Sequence, residues 1–139
     1  MTPKKILVVD DDQFILKVLD FKLKPAGYTV LTALDGASAI STVRQERPDL
    51  ILLDICFPPD VAHGGGVNWD AFTIMSWMKR MEEAAHIPIV IITSSDPAKV
   101  KDRAMAAGAA AFFQKPIDHI ELLATIRRLL GETELETPA

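Results

Sequence analysis

Apolar positions along the chain follow two alternating patterns. Short aliphatic runs at Ile6 to Val9, Tyr28 to Thr32, Leu50 to Leu53, Ile89 to Ile92 and Ala111 to Phe113 predict five strands, each bounded by Pro, Gly or Asp. Between and after them, apolar residues recur at intervals of three and four, which predicts helices over Phe14 to Leu23, Gly36 to Gln45, Ala71 to Met81, Ala98 to Ala107 and His119 to Leu130, with Gly131 as the last C-cap. The runs Leu50-Ile51-Leu52-Leu53 and Ile89-Val90-Ile91-Ile92 have no polar face. Strands of that kind are buried on both sides, which requires a parallel sheet joined by right-handed helical crossovers. The expected fold is therefore α/β, a doubly wound five-stranded parallel sheet with five helices in a three-layer sandwich. Phe57 to Asn68, FPPDVAHGGGVN, breaks the rhythm and predicts a long exposed loop. The expected domain covers residues 1–131, followed by a flexible polar tail over residues 132–139.

Composition narrows the function. At 139 residues the chain holds one domain, and 49% hydrophobic residues are enough to build its core. A net charge of -4 has the wrong sign for direct binding to a phosphate backbone, so nucleic acid is excluded as a direct partner. Cys56 is the single cysteine, and neither a secretory signal nor an apolar run long enough to span a bilayer is evident, which fits a reducing cytoplasm and no membrane partner.

In an open parallel sheet, ligands bind outside the carboxyl ends of the strands. The residues there are Asp10, Asp11 and Asp12 after the first strand, Asp54 after the third, Thr93, Ser94 and Ser95 after the fourth, and Gln114, Lys115 and Pro116 after the fifth. Asp12 reads as the N-cap of the helix that follows. Asp10, Asp11 and Asp54 should converge, and two carboxylates about 4 Å apart repel by about 4 kcal/mol at an effective dielectric of 20. Such a cluster calls for a cation, and an all-oxygen set without His or Cys side chains favours Mg²⁺. Lys115, opposite the carboxylates, could hold a phosphoryl oxygen, and Thr93 could donate to another. His63, His86 and His119 have no metal-ligand spacing and read as surface residues.

The set ILVVDDD, DLILLD, IITSS and FFQKP resembles, in order and from about Lys4 to Leu130, the receiver domain of two-component response regulators. The resemblance implies a flavodoxin-like fold and a phosphorylation-dependent switch of the single-domain type. Asp54 would accept a phosphoryl group from a phosphohistidine of a sensor histidine kinase or histidine phosphotransfer protein. Asp10, Asp11, Asp54 and the backbone carbonyl of Cys56 would hold Mg²⁺. Lys115 and Thr93 would contact the phosphoryl group, and Phe112 would be the aromatic that responds. Cys56 and Ser95 occupy the positions that influence phosphoryl lifetime, and neither is acidic or amide. The chain would assist its own phosphorylation without being an enzyme in the ordinary sense, and would signal to a downstream protein. The Asp54 to Thr93 spacing is about nine residues long for that pattern, matching the predicted loop.

Two other readings stand beside it. A Mg²⁺-dependent phosphohydrolase using Asp54 would need a second acid two residues on, where Cys56 stands. A receiver-like interaction module would bind its partner without phosphorylation. The sequence leaves the cognate kinase and the oligomeric state open.

Overall fold

The computed structural model describes residues 4–54, 71–82, 84–93, 97–115 and 117–131, with backbone alone for 71–73, 97–100 and 103. The predicted loop Phe57 to Asn68, the tail, and Cys56, Ser95 and Pro116 lie outside the described residues.

Among the described residues, five strands form one sheet: β1 (Lys5–Val9), β2 (Thr29–Ala33), β3 (Leu50–Asp54), β4 (Ile89–Thr93) and β5 (Ala111–Gln114). All pairings are parallel, in the order β2-β1-β3-β4-β5. The helices are α1 (Gln13–Leu23), α2 (Gly36–Glu46), α3 (Ala71–Arg80), α4 (Pro97–Ala106) and α5 (His119–Leu129). Each predicted element is present, with no end displaced by more than one residue. The largest consequence is at β2, which starts at Thr29 rather than Tyr28. The reason is an unforeseen 3-10 turn over Lys24–Ala26, ended by Gly27 at φ 99. Nothing lies within 4 Å of a Cβ built on Gly27, so its backbone angle, and not lack of space, favours glycine there.

Alternation along the strands divides the core into two layers, as a doubly wound sheet requires. Leu7, Val9, Ile51, Leu53, Ile89 and Ile91 face α2, α3 and α4. Ile6, Val8, Leu50, Leu52, Val90 and Ile92 face α1 and α5. Both β3 and β4 are buried along their whole length, which accounts for their unbroken apolar runs.

Aspartates start three of the helices. Asp12 accepts from the Phe14 amide, Asp35 from the Ser38 amide, and Asp118 from the amides of Ile120 and Glu121. Each such cap stabilises its helix by about 1 kcal/mol. Gly131, φ 77, lies one residue beyond the observed cap Leu130 and donates to the Arg128 carbonyl. These caps fix where the chain leaves the sheet rim.

Candidate functional site

Parallel strands deliver all their carboxyl ends to one rim. Register places them level there: Asp54 lies opposite Ile92, and Thr93 opposite Gln114. The Asp10 amide donates to the Ala33 carbonyl at 3.1 Å, and the Lys115 amide donates to the Thr93 carbonyl at 2.7 Å. The backbone just past β1 and β5 is thus tied to the neighbouring strands, which restricts where Asp10 and Lys115 point.

Asp10, Asp54 and Thr93 are the buried polar residues of the described core, at 2%, 4% and 0% exposure. Asp11 is the exposed member of the acidic group, yet carboxylate oxygens of Asp10, Asp11 and Asp54 all lie within 4.8 Å of one another. Lys115 comes from the far side of the rim. Its Nζ stands 3.2 Å from Asp10 Oδ2 and 3.6 Å from Asp54 Oδ2, bridging the two buried carboxylates. The other Asp10 oxygen, Oδ1, accepts the Asp12 amide at 2.9 Å.

Electrostatics follows from that geometry. Loss of hydration at the rim, and after it the charge of Asp10, hold the Asp11 carboxyl above its ordinary value of 3.8, with Lys115 pulling the other way. Among the described residues, three carboxylates gather here and the Lys115 ammonium pairs with two of them. The donor set is oxygen only and spaced for one small cation, which fits Mg²⁺. Asp12 takes no part: its carboxylate caps α1, as the sequence indicates.

A buried acid at the end of a central strand, two more acids and a lysine meeting it, and a hydroxyl at the next strand end form a pattern that can be compared with known proteins. The family model for the response regulator receiver domain matches residues 6–127. The chain belongs to that family. The receiver is 36% identical over 125 residues to the response regulator PleD of Caulobacter vibrioides, covering 90% of this chain and 26% of PleD. It is 28% identical to the polar-differentiation response regulator DivK of Brucella anthropi, covering 94% of this chain and 98% of DivK. Among solved structures, the chemotaxis response regulator CheY4 of Vibrio cholerae superposes with a TM-score of 0.77 at 29% identity, over 92% of this chain and 99% of that one. The chain spans between about a quarter and about half of the length of the first curated relatives it matches. Response regulator receivers are signalling proteins and not classical enzymes. No described helix is long and apolar enough to cross a membrane.

Of the residues singled out in sequence, the receiver fold brings Asp10, Asp11, Asp54 and Lys115 into one cluster and sets Thr93 on the strand beside Asp54. Cys56 falls outside the described residues. Phe112 is partly buried against the α2–α4 layer. His119, read in sequence as a surface residue, is half-buried, and its Nδ1 is buried without a hydrogen-bond partner. It is the first residue of α5 and lines a groove shared with α1.

Sequence reasoning also missed what lies next to Lys115. A groove of about 420 Å³ runs between α1 and the start of α5, lined by Phe14, Ile15, Val18, Lys115, Ile117 and His119. Lys115 therefore borders both the acidic cluster and an apolar surface. The signal available was Phe14, apolar at the solvent-facing start of a helix, where it is 69% exposed.

Proposed function

We propose that this receiver is a phosphorylation-controlled switch in which Asp54 accepts a phosphoryl group from a phosphohistidine on a sensor histidine kinase or histidine phosphotransfer protein. The observation that carries this reading is the meeting of Asp10, Asp11 and Asp54 within 4.8 Å, with Lys115 bridging Asp10 and Asp54.

The attack of a carboxylate on an anionic phosphorus centre is opposed by charge. Asp10, Asp11, Asp54 and the backbone carbonyl of Cys56 would hold Mg²⁺, which supplies positive charge to the phosphoryl oxygens. Lys115 would add its own positive charge, exchanging part of its interaction with Asp54 for one with the phosphoryl group. The phosphorus–nitrogen bond of the donor breaks as the Asp54 oxygen–phosphorus bond forms, and the imidazole leaves. Thr93 donates its hydroxyl to a phosphoryl oxygen. The groove beside Lys115 suits an apolar surface of the donor protein, which would bring the phosphohistidine to Asp54.

The added group brings about two negative charges and three strong acceptors to a buried rim. Movement of Thr93 toward it opens space for Phe112 to turn inward, changing the α4–β5–α5 face that a downstream protein would read. The receiver domain spans residues 1–131, residues 132–139 form a polar tail, and the protein works in the cytoplasm.

Intact-mass spectrometry after incubation with acetyl phosphate and Mg²⁺ tests the reading. The expected result is a gain of one phosphoryl group that is lost in Asp54→Ala and in the presence of EDTA. No gain by the unaltered protein, under conditions that label another receiver, would leave a phosphorylation-independent interaction module in its place.

A further inference from the structure

The edge of the sheet at β2 carries a second surface, away from the acidic rim. β2 reads Thr29-Val30-Leu31-Thr32-Ala33 and has no charged residue and no proline. Edge strands ordinarily carry such residues to prevent pairing with another chain. Among the described residues no strand pairs with its outer side, so the hydrogen-bonding groups turned outward can be assigned. Thr29 donates to the Lys4 carbonyl and the Ala33 carbonyl accepts from Asp10, so Thr29, Leu31 and Ala33 turn both backbone groups toward β1. In a parallel ladder the alternate residues then turn theirs away, and Val30 and Thr32 present N–H and C=O to the open edge.

Above this edge, on the α1 side, lies a groove of about 490 Å³ lined in part by Leu16, Lys17, Asp20, Phe21, Thr32 and Leu34. Phe21 is 73% exposed and Leu34 41% exposed. An exposed phenylalanine and leucine flanking an unguarded strand are the expected marks of a surface that another chain covers.

We propose that the covering chain is a second copy of this protein, paired through antiparallel β2 strands about a two-fold axis at Leu31. Three features favour self-pairing. With Leu31 opposite Leu31, Val30 of each copy faces Thr32 of the other, so the outward groups meet as a hydrogen-bonded pair on both sides of the axis. The helices fit the same axis. α1 lies over β1 and β2, and with strands about 4.8 Å apart it stands about 5 Å from the axis, which puts the two α1 helices about 10 Å apart, at a normal packing distance. Charge is complementary too: α1 runs antiparallel to its copy, so Lys17 of each copy meets Phe21 and Asp20 of the other, and Asp20, 3.2 Å from Lys24 of its own chain, is shared between the two lysines. The pairing joins two five-stranded sheets into one continuous sheet and leaves the acidic rims and the Phe14 groove open.

Sedimentation equilibrium over a wide concentration range tests this, together with amide hydrogen exchange. The unaltered protein should show a reversible dimer, with the Val30 and Thr32 amides gaining protection as concentration rises. Phe21→Glu and Thr32→Lys should each weaken dimerisation at least tenfold while acetyl phosphate labelling stays unchanged. Lys17→Asp should weaken it as well, and Lys17→Asp with Asp20→Lys should restore it, which a merely structural role would not do. Phe21 is exposed, so its variant keeps the test decisive even if Thr32→Lys disturbs the strand. A monomer at every concentration, or a dimer indifferent to Phe21→Glu and to the charge exchange, overturns the proposal.

Discussion

The two ends of this sheet carry charged residues in similar supply and put them to different use. At the amino end, the Lys5 amide donates to Asp49 Oδ2 at 2.8 Å, and Lys5 Nζ lies 3.4 Å from Glu46 Oε1 with both side chains over a third exposed. A cavity of about 420 Å³ opens there, lined by Arg47, Pro48, Asp49, Glu82 and His86. Acids and bases are interspersed, and water reaches them. At the carboxyl end, Asp10 and Asp54 are nearly inaccessible and their side chains share one ammonium. The same residue types make solvated pairs at one end and an unbalanced cluster at the other. Burial and sign, more than the number of charges, separate a site from a surface.

The two ends should respond differently to perturbation. The largest effect expected is from the metal. At a Mg²⁺ concentration a hundredfold above its dissociation constant, unfolding should require about 2.7 kcal/mol more, and that gain should vanish in Asp10→Asn. Thermal denaturation with and without Mg²⁺ measures it, and an equal gain in Asp10→Asn would dissolve the distinction between the ends.

Next comes Lys115→Met, which leaves the buried carboxylate of Asp10 without its ammonium. A loss of about 2 kcal/mol in metal-free urea unfolding is expected, because an unpaired buried charge keeps its desolvation penalty. Added Mg²⁺ should recover part of it.

A smaller effect carries a definite sign. The Asp11 carboxyl is held above its value in the unfolded chain, so the folded state binds that proton more tightly. The associated stability is complete below the ordinary value of 3.8 and is lost as pH rises through the higher folded value. At neutral pH the metal-free protein bears the cost of an ionised Asp11, and Asp11→Asn should raise its melting temperature while weakening Mg²⁺ binding. A lower melting temperature would show that Asp11 is not under strain from its neighbours.

Smallest of all is Glu46→Ala at the amino end, expected to cost about 0.5 kcal/mol or less, as exposed pairs do. A loss as large as that of Lys115→Met would erase the comparison.

Much of the site was legible because a parallel sheet has one productive rim, and the residues following each aliphatic run must lie on it. Asp54 and Thr93 could be picked out from Leu50-Ile51-Leu52-Leu53 and Ile89-Val90-Ile91-Ile92 alone. Asp12 was legible as a cap because a short acidic side chain before an apolar-periodic segment satisfies a free helix amide. His119 was not. Its half-buried position depends on a groove shared with Phe14 and Val18 of α1, which nothing near it in sequence records. Gly27 hid the start of β2 in the same way, since a 3-10 turn built on Pro25 has no period to read.

The α/β alternation, the parallel sheet and the residue types at its carboxyl ends are written in the order of residues, because burial on both faces demands unbroken apolar strands and helical crossovers. Only the tertiary structure decided which acid of the Asp10, Asp11 and Asp12 run turns inward, and that Lys115, 105 residues from Asp10, lies within 3.2 Å of it. That decision belongs to the strand order β2-β1-β3-β4-β5, which sets the first and third strands side by side and ties the fifth to the fourth. Local physics selects the elements. Their order in the sheet selects which charges meet.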